Sequence, residues 1–350
     1  MPTFDATDLC RLLARVYAAK GAPPEVAGTV AELQVEANLT GHDSHGVIQT
    51  ADYVARIDQG HIVPGAAIDV MAESPCTAVV DGNWGFGFFV TSRATQMVIE
   101  KARSAGLAAV TIRHQGHIGR LGAYTSRIAA TGLIGLITAD SGAGPKAAAP
   151  FGGRERRLGT NPLSIALPAE RSAICLDMAT TTVAVGKLNL ARNKGESIPE
   201  GWIVDREGRV SRRPADYFDG GALLPLGGDQ GYKGYGLSFV VESLAGILTG
   251  LGFGIDPLGR HNDGCFLAAF DVGRFRPLDE FKREMEEFVG YLKETEPTEG
   301  CSEVLYPGEL EARTRREREE SGIPVDDASW RAISEIAGSL GVSLPAERHG

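Results

Sequence analysis

The chain has 350 residues, 43% of them apolar and 23% charged, which excludes a disordered polypeptide and gives a length of about two ordinary domains. Lys and Arg number 35 against 45 Asp and Glu, a formal charge of -10; that is the wrong sign for displacing counterions from nucleic-acid phosphates, so no nucleic-acid partner is expected. The five cysteines, Cys10, Cys76, Cys175, Cys265 and Cys301, are odd in number, scattered and never C-x-x-C, which argues against a disulfide framework and for a reducing compartment.

The N-terminus lacks the basic and apolar regions of a signal peptide. The first forty residues read as two helices. Asp5 or Thr7 caps the first, whose stripe is Leu9, Leu12, Leu13, Val16 and Tyr17; Val26, Val30, Leu33 and Ala37 mark the second beyond Pro23-Pro24. A short helix over 52–57 follows. From Val70 to about Phe270, β-rich runs alternate with glycine-rich turns. The strand candidates are Thr77–Val80, Ala108–Ile112, Ile134–Thr138, Ser164–Leu167, Ile174–Asp177 and Cys265–Phe270. Helices are expected over Val90–Ala105, Gly122–Ala130, Ala179–Asn193 and Gly236–Thr249. The most apolar long stretch, Gly236–Ile255, contains Glu242 and reads as a buried helix rather than a membrane span. Beyond Pro277 the chain turns helical and charged, over Leu278–Glu294, Glu309–Glu320 and Ala328–Leu340. The run Arg313-Thr-Arg-Arg-Glu-Arg318 interleaves with Glu309, Glu311, Glu317, Glu319 and Glu320, the signature of a solvated face with charge pairs three and four apart.

The expected fold is mixed α/β. Residues 71–277 form the binding body, and residues 1–70 with 278–350 form a helical cap built from both termini. Glycine contributes 45 residues, nearly double the roughly 7% norm, without a Gly-X-Y period; they serve turns and close backbone approaches to a ligand.

Two clusters carry the candidate chemistry. Gly41-His-Asp-Ser-His-Gly-Val47 reads either as a plain turn or as a junction presenting a general acid/base histidine, with a serine to hold its ring. Arg113-His-Gln-Gly-His-Ile-Gly-Arg-Leu-Gly122 follows a strand and precedes a helix. The pairs His42/His45 and His114/His117 are each three apart, so a metal-dependent hydrolase or lyase using these four as ligands is the alternative, although neither pair is H-E-x-x-H. Further features are Phe151-Gly-Gly-Arg154, Leu158-Gly-Thr-Asn-Pro162, Asp177-Met-Ala-Thr180 at the end of an apolar strand, and Lys233 among glycines and tyrosines before the apolar helix. No G-x-G-x-x-G follows a strand, and neither a P-loop nor a G-x-S-x-G elbow is present.

Together these segments resemble the malate/L-lactate dehydrogenase family of the non-Rossmann type, over about residues 5–340. The resemblance rests on Gly41–Val47, His117–Gly122, Gly159–Pro162, Asp177–Thr180, Gly186-Lys187, Ile198–Trp202, Pro225–Gly228, Lys233–Leu237 and Pro307–Glu309. It implies an NAD- or NADP-dependent oxidoreductase of 2-hydroxy, 2-oxo or imino acids, with a non-Rossmann cofactor sheet; a cytoplasmic location is expected from the sequence features above. It also implies a homodimer with sites near its interface and no membrane partner. It gives His45 the acid/base role, supported by Ser44 and Asp177, with His117 as rival. Positions His117, Ile118, Gly119, Arg120, Leu121, Thr160, Asn161, Met178, Ala179, Lys233, Pro307, Gly308 and Glu309 are assigned to the cofactor. Where many relatives carry an arginine after S-H-G-V-x, this chain has Gln49, which cannot clasp a carboxylate with two charge-assisted bonds. Arg120 or Lys146 is then expected to take that duty, unless the substrate is atypical. A non-catalytic binding protein on the same fold is a further alternative.

Overall fold

A computed structural model describes residues 1–140, 142, 144–255, 260 and 263–348. The chain opens with β1 (Thr3–Phe4) and helices α1 (Ala6–Ala19), α2 (Pro24–Leu39) and α3 (Thr50–Asp58). It continues through β2 (Asp69–Glu73), β3 (Thr77–Gly85), α4 (Gly87–Ala105), β4 (Leu107–Gln115), α5 (Gly122–Ala130), β5 (Leu133–Asp140), β6 (Leu163–Leu167) and β7 (Ile174–Met178). A small lobe follows, made of α6 (Val185–Lys194), β8 (Ile203–Val204), β9 (Val210–Ser211), α7 (Pro214–Phe218) and β10 (Ala222–Leu223). Then come α8 (Tyr232–Val241), which runs into a π-helical turn over Glu242–Ile247, β11 (Gly264–Asp271), α9 (Leu278–Lys293), α10 (Glu309–Ser321), β12 (Ile323–Pro324) and α11 (Asp327–Ser339).

The predicted apolar stripes are the buried ones. Leu9, Leu12, Leu13, Val16 and Tyr17 on α1 and Val26, Val30 and Leu33 on α2 enter one core with Val80, Val98, Val110, Ile112 and Ile137 of the sheet layer. Asp5 caps α1 by accepting the Thr7 N–H at 2.8 Å. Pairing of β1 with β12 ties the two ends of the chain together.

The central sheet has seven strands in the order β2-β3-β4-β11-β5-β6-β7, and only β3 and β4 run parallel. A mostly antiparallel sheet has no Rossmann crossover series, in keeping with the absent glycine fingerprint. Its registers decide where chemistry can occur. Cys265 lies opposite Ile112, Gly264 opposite Asp140, and Leu163 opposite both Thr138 and Met178. The C-terminal ends of β4, β5 and β7 and the N-terminal ends of β6 and β11 therefore share one edge. Gln115–His117, Asp140, Thr160–Asn161, Asp177–Met178 and Asp263 all gather there.

Two sequence expectations are corrected, and one small sheet went unanticipated. The helix expected from Ala179 starts only at Val185, because Thr180 and Thr182 spend their hydroxyls on the backbone of 160, 161 and 225 instead. The short strands β8, β9 and β10, which form their own three-stranded sheet, had no apolar alternation to betray them. The apolar helix read as buried instead exposes Leu237, Phe239, Val240, Ile247 and Leu248. No helix among the described residues is long and apolar enough to cross a membrane.

Gly264 begins β11 where the π-helical turn crosses it; a Cβ there would lie 1.9 Å from the Ala245 carbonyl oxygen. Gly264→Ala is expected to lower unfolding stability by about 2 kcal/mol or more. Gly28→Ala, in α2 with nothing within 4 Å, is expected to raise it by about 0.5–1 kcal/mol. Urea titrations of both variants check the pair.

Candidate active site

Residues 41–49 pass over the active edge of the sheet as two short 3-10 turns between α2 and α3. They place the His45 ring on the His117 ring, stacked at 5.6 Å between centroids with a 19° interplanar angle. Ser44 Oγ lies 3.1 Å from His45 Nδ1. Tyr53 Oη lies 2.6 Å from His117 Nδ1, and Phe88 packs edge-on to the same ring. Gly119, at φ 73°, lets the chain turn so close to Phe88 that a Cβ would come within 2.3 Å of that ring.

Burial is the largest influence on His45, followed by His117 and His42; together with Arg120 they push its pKa down to about 3, while Asp263 pulls the other way. The imidazole is therefore neutral across the physiological range. Tyr53, wholly buried, is held well above the ordinary phenol value, so its hydroxyl keeps its proton.

Asp177 is not the partner of His45. Its carboxylate accepts the Gly122 N–H at 2.7 Å at the start of α5 and faces Arg120 Nε at 3.4 Å. Gly122 permits this because a Cβ would meet both Arg120 Nη2 and Asp177 Oδ2 at under 3 Å. Burial lifts the Asp177 pKa against the pull of Arg120. The carboxylate that faces the histidines is Asp263, which accepts the Ile118 N–H at 3.0 Å. Sequence reading passed over Asp263 and Tyr53: one sits just ahead of β11, the other in the buried stripe of α3.

Gln49 turns back to donate to the Ser44 carbonyl at 2.7 Å, bracing the loop. Lys146, the other candidate for that duty, is engaged within the chain. Its side chain is fully covered, and its Nζ is spent on Glu242 at 3.0 Å and on the Gly142 carbonyl. Asn161 donates to the other Glu242 oxygen at 2.8 Å and to the Ser238 carbonyl. Burial, then Glu242, push the neighbouring Asp140 up to about 7. Of the two candidate cations, Arg120 alone stays beside the imidazoles; it is nearly buried, and its Nε has no hydrogen-bond partner among the described residues.

The four-histidine metal reading is corrected as well. His42 turns to Glu311 at 3.3 Å; His114 bonds Asp81 at 2.9 Å and stacks on Trp84. Among the described residues, no three His, Cys, Asp or Glu side chains converge as ligands.

Of the positions expected at a cofactor, Ile118, Arg120, Leu121 and Asn161 are buried at the active edge, while Met178 and Ala179 are half-buried beside them. Lys233 is exposed on α8. The turn 307–309 packs on β7: the Pro307 carbonyl accepts the Cys175 N–H, and Glu309 is held by Lys293 and Arg313. Asn161 Oδ1 and Ser238 Oγ are buried without partners among the described residues. An orphaned acceptor and hydroxyl beside Thr160 suit the amide of a nicotinamide, so these residues fit such a group.

The site is thus a pair of stacked imidazoles with an adjacent buried guanidinium. The malate/L-lactate dehydrogenase family profile matches residues 4–334. The chain is 37% identical to a malate dehydrogenase of Pyrococcus abyssi over 343 residues, covering 96% of this chain and 94% of that protein. The solved sulfolactate dehydrogenase of Methanocaldococcus jannaschii superposes with TM-score 0.89 at 34% identity, covering 98% of each chain. A delta1-piperideine-2-carboxylate reductase of Pseudomonas syringae pvar. tomato superposes with TM-score 0.85 at 31% identity, covering 96% of this chain and 100% of that one. The chain belongs to the malate/L-lactate dehydrogenase family and is an oxidoreductase. The hydrolase and lyase readings are set aside.

The low pKa of His45 has a signed consequence for stability. Between pH 6.5 and about 3 the unfolded chain protonates this residue while the folded chain does not, so stability is lost as pH falls through that window. His45→Asn is expected to be more stable relative to wild type at pH 5 than at pH 7, by on the order of 1 kcal/mol. Urea titration at the two pH values checks this; equal differences would refute the burial of a neutral ring.

Proposed function

We propose that the chain oxidises a 2-hydroxy acid, or reduces the matching 2-oxo or cyclic imino acid, with NAD or NADP, and that His45 carries the proton. The observation that supports this most is the neutral His45 ring stacked on His117 beside Arg120 at one sheet edge. A bound nicotinamide supplies the hydride acceptor or donor; Ile118–Leu121, Thr160, Asn161, Met178, Ala179, Lys233 and Pro307–Glu309 are the residues proposed to hold the dinucleotide.

As hydride leaves C2, the hydroxyl proton must leave too, and a positioned base removes the cost of an alkoxide, commonly worth 10²–10⁴-fold. With its own proton on Nδ1 and donated to Ser44 Oγ, His45 presents the Nε2 lone pair to the substrate hydroxyl. A substrate carboxylate beside Arg120 raises the proton affinity of the ring, so the base strengthens as substrate arrives. In reduction the imidazolium returns the proton from Nε2. Asp263 steadies that cation and takes the part first expected of Asp177. Asp177 instead aims Arg120, the proposed clasp for the carboxylate.

The exposed apolar face of α8 and the following turn, with Leu237, Phe239, Ile247, Leu248 and Phe253, supports a homodimer covering it, since patches of this kind seldom face water. A cytoplasmic location fits the unpaired cysteines.

The primary test follows reduced-nicotinamide absorbance across a panel of 2-hydroxy, 2-oxo and cyclic imino acids with each dinucleotide. His45→Ala is expected to cut turnover at least 100-fold with dinucleotide affinity nearly unchanged. In wild type the acidic limb of kcat/KM for oxidation should lie well below pH 6.5, and its loss in His45→Asn but not His117→Asn identifies the proton carrier. Near-normal turnover of His45→Ala would remove it from the role. Phe239→Glu is expected to shift sedimentation from dimer to monomer.

A further inference from the structure

Helix α10 had the sequence of a solvated charged face, and part of it is one: Arg315 pairs with Glu319 and Arg313 with Glu309, each four residues apart. Its inner face does something else. Arg318 sends Nη1 to Asp43 Oδ1 at 2.6 Å and Nη2 to Asp43 Oδ2 at 3.0 Å, and Nη1 also donates to the Asn38 carbonyl. Glu311, two turns earlier, holds His42. Thr314 between them presses on Gly41, whose added Cβ would lie 3.2 Å from its methyl.

The same loop is gripped from beneath by α2. Asn38 donates to Asp43 Oδ1 at 2.6 Å and accepts the Val47 N–H at 2.8 Å; Gln34 donates to the Gly46 carbonyl at 3.1 Å. Gly46 has no room for a side chain, since a Cβ would fall 2.1 Å from Asn38 Oδ1. In the turn Asp43–His45 only the His45 ring is partly covered, while Asp43 and Ser44 are exposed, so packing alone does not fix the backbone and these polar contacts hold it.

We infer that Arg318 is a positioning residue for the proton carrier: by clamping Asp43 in a bidentate pair, α10 holds the Asp43–His45 turn so that the His45 ring stays stacked on His117. This rests on the proposed role of His45 for its consequence in catalysis, but the geometric claim does not need it. A bidentate guanidinium fixes both distance and plane, which a lysine would do only partly. A ring displaced by about 1 Å can cost on the order of 10²-fold in rate.

The groups facing His45 are His42 from its own loop, His117 and Arg120 from the β4–α5 connection and Asp263 ahead of β11. Release of the turn would hydrate the ring and remove the largest influence on it, its burial. The test is a carbon-13 histidine NMR titration of the apo protein, with the His45 signal assigned by His45→Asn, on wild type, Arg318→Met, Arg318→Lys and Arg316→Met. Arg316 lies on the exposed face of the same helix and serves as control.

Arg318→Met is expected to move the His45 titration upward toward the free-imidazole value near 6.5, with Arg318→Lys between and Arg316→Met unchanged. Turnover on whichever substrate the panel yields should fall at least tenfold in Arg318→Met and recover in part in Arg318→Lys, while dinucleotide affinity stays within about twofold. Asp43→Asn, which spares the helix, should reproduce the shift. A His45 titration unmoved in both Arg318→Met and Asp43→Asn overturns the inference, whether or not the chain turns over any acid tested. If the titration moves as expected but no acid is turned over, it is the functional reading that fails.

Discussion

Two imidazole rings stacked at 5.6 Å cannot both hold a proton in a partly desolvated site; at an effective dielectric near 20 the repulsion is about 3 kcal/mol. Much of the surrounding structure serves that pairing. His117 reaches its position because β4 ends at the active edge and Gly119 turns the chain under Phe88. His45 reaches it from the opposite side, on a turn that belongs to neither the sheet nor a helix. One ring is therefore mounted just past the end of a central strand and the other on a clamped loop.

A buried polar layer lies at the same edge of the sheet: Lys146 with Glu242, Asn161 bridging to the same carboxylate, and Asp140 at the end of β5. Such a layer adds little net stability, since desolvation of two charges offsets most of their attraction. Its effect is positional. Removing Lys146 or Glu242 would leave its partner's charge unpaired in the interior, so the segment at 146, the turn at 161 and the π-helical turn at 242 are tied to one another. The Asn161 φ of 40° is held within that network.

Helix and strand placement was largely legible where apolar spacing reports burial: the stripe of α1 is the buried one, and the six main strands lie within about five residues of their expected bounds. The two histidine clusters were legible too, since their glycines and polar side chains had no use in a core. What stayed hidden were partnerships across the chain. Lys146 looked like an isolated cation because Glu242 lies far along the sequence. Asp177 looked like an orienting acid because the end of a strand is where one belongs, yet the Gly122 N–H and Arg120 claim it first. The charges of α10 could be satisfied by their neighbours on the helix, so nothing in their spacing signalled that Glu311 and Arg318 reach the His45 loop.

The same competition bears on the substrate. Gln49 uses its amide to brace the Ser44 carbonyl, so it is occupied as well as uncharged. Arg120 is held loosely by comparison: Asp177 stands 3.4 Å from its Nε and Glu36 3.9 Å from Nη1. A buried guanidinium with no close bidentate partner among the described residues keeps its fork open to a planar anion, and a carboxylate is the anion whose two oxygens match that fork. On the proposed reading, the acid group of the substrate then lies against Arg120 and its C2 substituent toward His45. The chain would meet the carboxylate from the His117 side of the cleft rather than from the loop that carries Gln49.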